Sequence, residues 1–254
     1  PAPYNNISVD SKGFIYATSS SFTTNEVYAQ VQSKDKTSSK SPVKRFTPSG
    51  EDVLVRNGYY APLGDLEFPY VNTTTDTGSS TIEDVAIGEN DIYSLMDSRH
   101  NKIFTYDGDG NLLYAFGGSS TAVGTFTRLG AISYFGSDMV ALDHEGNSVT
   151  LFTKTEYGKL IDEVISLQRQ RKYTETIPVW EKIKAANNNF DLAYVGIGKS
   201  LMQQGEYDKA MDYFYAADVP EQYSLAMKQA RSESLENFAI LIPIVVILLV
   251  VLLV

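Results

Sequence analysis

Cysteine is absent from all 254 residues. Disulfides, thiolate metal sites, iron–sulfur clusters and cysteine nucleophiles are excluded together. The compartment stays open, because a cysteine-free chain suits either redox environment. Basic residues are outnumbered, 21 Lys and Arg against 31 Asp and Glu, for a net charge of −10. That balance argues against nucleic acid, which needs clustered cations for its phosphates, and against a polybasic grip on anionic lipid. There are only two histidines, His100 and His144. No Gly-x-Ser-x-Gly, His-Glu-x-x-His or phosphate-binding Gly-rich loop occurs. The sequence therefore nominates no catalytic residue, no metal and no cofactor.

The C-terminal end lacks charge altogether. From Phe238 to Val254 every side chain is apolar, over roughly 25 Å if helical, close to the hydrocarbon thickness of a bilayer. A transmembrane helix is expected over 238–254, with Pro243 tolerated as a kink or first-turn residue. The chain starts Pro1-Ala-Pro-Tyr4 without Met or a signal-peptide pattern, and no Lys or Arg follows the apolar run. It reads as an internal or processed stretch of a longer protein. Orientation is not fixed by one flank alone; soluble domains outside the cytoplasm are expected.

Before about Thr155 the chain reads as short strands with turn signals, and after it as helices. Ile7-Ser-Val9 and Gly13-Phe-Ile15-Tyr16-Ala17 read as strand, Asp-x-x-Gly turn, strand. The pattern returns at Ile82–Ile87 with Asp91–Ser94, and at Gly130–Tyr134 with Asp138–Asp143. Alternating third strands follow at Pro42–Phe46, Lys102–Tyr106 and Ser148–Phe152. Four antiparallel strands at a period of roughly 45 residues is the signature of a propeller blade. The run Asn101-Lys-Ile-Phe-Thr-Tyr-Asp107-Gly-Asp-Gly-Asn-Leu-Leu-Tyr-Ala-Phe-Gly117 resembles an NHL repeat. The resemblance implies a partial β-propeller over 1–155, about three blades, with more upstream. Ser19–Ser41 and Tyr59–Ser80 read as insertions.

In the helical part Leu167, Tyr173, Trp180 and Ile183 recur 34 residues later as Leu201, Tyr207, Phe214 and Ala217. That period resembles tetratricopeptide repeats, which implies an α-helical array over 156–237. Gly198 and Ala210 are read as the small residues that let two helices approach. Glu163, Thr176 and Pro178 depart from the pattern, and Trp180 is read as core.

Asp107-Gly-Asp109-Gly-Asn111 resembles the start of a calcium loop, but Leu112 and Gly118 break the pattern, so a hairpin turn is expected. His100 and His144 are expected on solvated turns. Asn6 and Asn72 match the N-glycosylation pattern weakly. Tyr59, Tyr60, Phe68, Tyr70 and Tyr134 are the candidate rim for a carbohydrate or peptide ligand, and equally candidates for blade core. The resemblances together imply a non-enzymatic, membrane-anchored interaction or ligand-capture subunit, whose partners are other membrane-protein subunits. The domain order resembles bacterial membrane-anchored NHL/tetratricopeptide proteins, which implies an accessory role to an ABC-type carbohydrate transporter. A metal-dependent propeller enzyme of lactonase or lyase type is the enzymatic alternative.

Overall fold

The computed structural model describes residues 4–20, 23–33, 41–58, 60–65 and 78–253, with the side chains of the last helix described as far as Glu236. The chain divides into two compact units, Pro1–Thr155 and Glu156–Val254.

Among the described residues the first unit holds three antiparallel sheets and one helix. The first sheet is β1 (Asn6–Val9), β2 (Ile15–Thr18) and β3 (Val43–Phe46), and the helix α1 (Thr24–Ser33) lies between β2 and β3 in the chain. The second sheet is β4 (Ile82–Ile87), β5 (Tyr93–Asp97), β6 (Lys102–Tyr106) and β7 (Leu112–Gly117). The third is β8 (Leu129–Phe135), β9 (Asp138–Asp143) and β10 (Ser148–Phe152). Strands neighbouring in the chain pair with one another, so each sheet is a meander, joined by short turns in the second and third sheets and by a long connection carrying α1 between β2 and β3 of the first.

The turns follow from Asp and Gly placement. Asp10 Oδ1 accepts the backbone N–H groups of Lys12 and Phe14, each at 2.9 Å. Asp107 Oδ1 does the same for Asp109 at 2.9 Å and Asn111 at 2.8 Å. Gly13 and Gly110 supply the positive φ that each turn needs, +84° in both. The Asp107 loop is thus the turn between β6 and β7.

Two apolar layers hold the sheets together. Between the first and second sheets lie Tyr16, Val43, Val85, Tyr93, Leu95, Phe104 and Tyr106. Between the second and third lie Ala86, Met96, Ile103, Phe126, Leu129, Ile132, Met139 and Ala141. Full burial of each larger side chain stabilises by about 1.5–3 kcal/mol, so these layers dominate the unit's cohesion.

The expected NHL β-propeller is corrected by this arrangement. β4 lies against β1 and β2 on one side and β8 on the other. The result is three separate small sheets in an open row, without a clear propeller. A propeller requires its last blade to meet its first, and a closed ring has at least four.

The second unit is α2 (Glu156–Arg169), α3 (Tyr173–Ala186), α4 (Asp191–Gln203), α5 (Tyr207–Ala216) and α6 (Pro220–Leu253). Each helix packs on the next. Trp180 is fully buried beside Gly196, where a Cβ would stand 2.3 Å from Trp180 Cε2. Gly198 faces Phe214 in the same way, at 2.6 Å. Thr176 Oγ1 meets Ser200 Oγ at 2.7 Å between α3 and α4. The departures read at Thr176 and Pro178 lie inside regular helix α3. The expected tetratricopeptide array is not shown: two helix pairs and a long last helix fall short of the three units a stacked array needs.

The membrane expectation is also corrected. Among the described residues no helix is long and apolar enough to cross a membrane. The described side chains of α6 include Glu221, Lys228, Arg231, Glu233 and Glu236, a charge density that hydrocarbon does not accept. The side chains of Phe238 and Pro243, and the whole of Val254, lie outside the described residues.

Candidate functional site

The second sheet ends in a cluster of ionisable groups. Asp97 closes β5 and Lys102 opens β6, and the two are paired in register across the turn. Asp97 is fully buried. Its Oδ1 accepts the N–H of Thr81 at 2.8 Å and of Arg99 at 3.0 Å. Its Oδ2 accepts Ser80 Oγ at 2.7 Å and lies 2.5 Å from His100 Nδ1. Lys102 Nζ pairs with Asp65 Oδ2 at 2.5 Å, and the Asp65 N–H donates to Ser80 Oγ at 2.7 Å. A buried carboxylate keeps its place only with such a set of donors.

The cluster has one chemical asymmetry. His100 Nδ1 faces Asp97, while Nε2 is buried without a hydrogen-bond partner. Bonding Nδ1 to a carboxylate orients the imidazole, the arrangement that also positions metal-ligating and general-base histidines. Asp65, Asp97 and His100 could offer one ligand atom each, all within 4.8 Å of one another. The donors and acceptors of the cluster are nevertheless already engaged with one another. The Lys102 ammonium holds Asp65, and the acceptor positions of Asp97 are committed to Ser80, Thr81, Arg99 and His100. An ion would have to displace the ammonium first, so the donor set fits a structural cluster better than a metal site.

The third sheet repeats half of this device. Asp143 closes β9, its Oδ2 accepting the Thr127 N–H at 2.7 Å and its Oδ1 those of Arg128 and Gly146, each at 2.9 Å. The Gly146 N–H and then that of Thr127 hold its carboxyl below the usual range. His144 is exposed. The expectation of a solvated turn therefore fits His144 but not His100, which is largely buried. The distinguishing signal is spacing: Asp97-x-x-His100 lets the side chain fold back onto the carboxylate, and adjacent Asp143-His144 does not.

Of the expected aromatic rim, Tyr59, Phe68 and Tyr70 lie outside the described residues. Tyr60 is exposed in the loop after β3. Tyr134 is half-buried in β8, its hydroxyl 2.9 Å from Ser94 Oγ in β5. It serves as a bridge between the second and third sheets.

In the helical unit, Glu181, Lys184, Tyr194 and Tyr213 form a second polar group. Lys184 Nζ bonds Glu181 Oε2 at 2.6 Å and lies 5.6 and 5.1 Å from the ring centres of Tyr194 and Tyr213. Tyr213 OH donates to Glu181 Oε1 at 2.8 Å. Partial burial alone would push the Glu181 carboxyl up, but the bonds from Lys184 and Tyr213 outweigh it and hold it low. The bond to Glu181 holds the Lys184 ammonium up.

Several exposed apolar groups belong to the outer faces of the end sheets. Alternation along a strand sends successive side chains to opposite faces. On the third sheet Ile132, Met139 and Ala141 point at the second sheet, so Leu142, Val149 and Leu151 point away from it. These three are 40%, 65% and 54% exposed. On the first sheet Ser8 and Thr18 bond Val85 O and Glu83 O of the second sheet, so Ile7 and Val9 face away. Both are 62% exposed. Sequence reading places these as strand residues without saying which face lacks cover, since alternation is the same at both ends of the row.

Compared with known proteins, the chain matches no family model and no curated protein.

Proposed function

We propose that this chain is a non-enzymatic interaction module that docks protein partners on the outer faces of its end sheets. The observation that carries this is the pair of apolar strand faces, Ile7 and Val9 on β1 and Leu142, Val149 and Leu151 on β9 and β10, left exposed at opposite ends of one row. Apolar patches of this kind on a folded unit mark binding surfaces more often than isolated apolar residues do. The net charge of −10 favours protein partners over polyanions. The Lys102–Asp65 ion pair and the committed acceptor positions of Asp97 support a non-catalytic role for the cluster.

The test is a photoreactive residue placed at Leu151 or at Ile7, and the same residue at Tyr215 on the helical unit, which is 81% exposed. Protein adducts at the two sheet positions and few at Tyr215 support the reading. Equal yields at all three positions contradict it.

A further inference from the structure

The third strand is covered in two sheets and open in the last. In the second sheet β6 pairs with β5 on one side and β7 on the other. In the first sheet Phe46 of β3 bridges Asp52, and the Val53 N–H donates to Arg45 O at 2.7 Å. β10 stands where β6 does. Asp97 pairs with Lys102 and Met96 with Ile103; in the third sheet Asp143 pairs with Ser148 and Leu142 with Val149. On its side away from β9, β10 pairs with nothing among the described residues.

The hydrogen-bond phase shows which groups are open. Successive strand residues turn their N–H and C=O groups to opposite neighbours. The His144 N–H donates to Arg128 O at 2.8 Å, toward β8. Counting back along β9, Leu142 and Val140 face β8, and Asp143, Ala141 and Met139 face β10. Their partners Ser148, Thr150 and Phe152 are the residues bonded to β9. Val149 and Leu151 therefore turn their N–H and C=O outward. β6 uses the same phase. The Gly118 N–H donates to Asn101 O at 2.7 Å and the Asp107 N–H to Asn111 O at 3.0 Å. Ile103 and Thr105, between them, thus face β7, where Phe116 and Tyr114 lie opposite. Nothing in β10 guards the open edge. Ser148-Val-Thr-Leu-Phe152 has no Pro and no charge, and its register with β9 has no bulge. Those are the devices that keep edge strands from pairing.

We propose that β10 takes an extended segment of a protein partner as a fourth, antiparallel strand, with bulky apolar side chains opposite Val149 and Leu151. This rests on the reading of the third sheet as a docking surface and names the element used and the partner's chemistry. The occupant is a strand because the open groups are an alternating row of backbone donors and acceptors, which another backbone matches along its length. Direction and pattern come from β7, which holds the corresponding place in the second sheet with Tyr114 and Phe116 opposite Thr105 and Ile103. Val149 and Leu151, 65% and 54% exposed, gain cover from such cross-strand neighbours.

The experiment titrates the full chain into a fluorescent peptide of sequence Asn111–Gly117 and reads anisotropy. Saturable binding is expected. Two N-methylated peptides keep every side chain. Methylation at Tyr114 and Phe116 removes the N–H groups that face the strand and should weaken binding roughly tenfold or more. Methylation at Ala115, whose N–H points away, should change it less than about twofold. Val149→Pro deletes one outward N–H and spares the bonds to β9, so it should weaken binding at unchanged far-UV circular dichroism. Amide exchange at Val149 and Leu151 should be fast in the free chain and slow with peptide, while Thr150 is protected in both. No saturable binding overturns the proposal. So does slow exchange at Val149 and Leu151 before peptide is added, which would show that the chain covers this edge itself. Equal affinity of the two methylated peptides overturns strand addition and leaves docking on the sheet's outer face. Protein adducts at a photoreactive residue 151, with no peptide bound, likewise keep the face and lose the strand.

Discussion

The Asp84 carboxylate in the second sheet accepts the backbone N–H of Ile132 in the third, Oδ2 to N at 2.8 Å. Its Oδ1 takes the Asn6 side-chain amide from the first sheet. One buried side chain thus touches all three sheets. A register shift between Ile82 and Asp84 places it there, because the bulge at Glu83 turns the next residue out of simple alternation.

Replacing Asp84 by Ala leaves the Ile132 N–H buried without an acceptor and Asn6 without its partner. Hydrogen bonds to a charged group are worth about 1.5–3 kcal/mol, so Asp84→Ala should destabilise the unit by about 2–3 kcal/mol. The measurement is the urea midpoint. A change below about 0.5 kcal/mol, the usual range for inert surface substitutions, would show that the bridge is not structural.

In the helical unit Gly196→Ala tests a close approach. The added Cβ would stand 2.3 Å from Trp180 Cε2, so the indole must move. Overpacking of this kind costs about 1–3 kcal/mol. Trp180 is the chain's single tryptophan and is fully buried. The substitution should therefore red-shift the emission along with the loss of stability. An unshifted spectrum at unchanged stability would sink the packing argument.

Acid should loosen the third sheet through Asp143. Its folded pKa lies below the ordinary carboxylate value, so the stability it supplies is present above about pH 4 and is lost as pH falls through the folded value. Asp143→Asn should be less stable than wild type at neutral pH, with the gap narrowing in acid. A gap constant from pH 7 to strongly acidic conditions would contradict the assignment.

Local structure was legible where chemistry repeats at short range. The Asp-x-x-Gly turns at Asp10 and Asp107, the strands Ile82–Ile87 and Lys102–Tyr106, and the buried Trp180 follow from turn residues, alternation and helical spacing. The burial of His100 was not legible, because it depends on Asp65 and Ser80 reaching the same place from elsewhere in the chain. Neither was the openness of the row: Val149 alternates just as Ile103 does, and only the sheet in front of Ile103 makes one buried and the other exposed. The propeller and the tetratricopeptide array went beyond the local signals by assuming neighbours that the repeats did not contain. The apolar run after Phe238 led to a membrane span that no described helix bears out.

The most direct measurement is the rate at which a thiol reagent labels Leu151→Cys, the only cysteine in an otherwise cysteine-free chain. The rate would be compared between the native extract and the purified chain at high dilution. The docking account predicts slow labelling in the extract and fast labelling on dilution, with no such difference for Tyr215→Cys. Equal rates in extract and dilute solution at position 151 would show that the outer sheet face stays open, and would contradict the central claim.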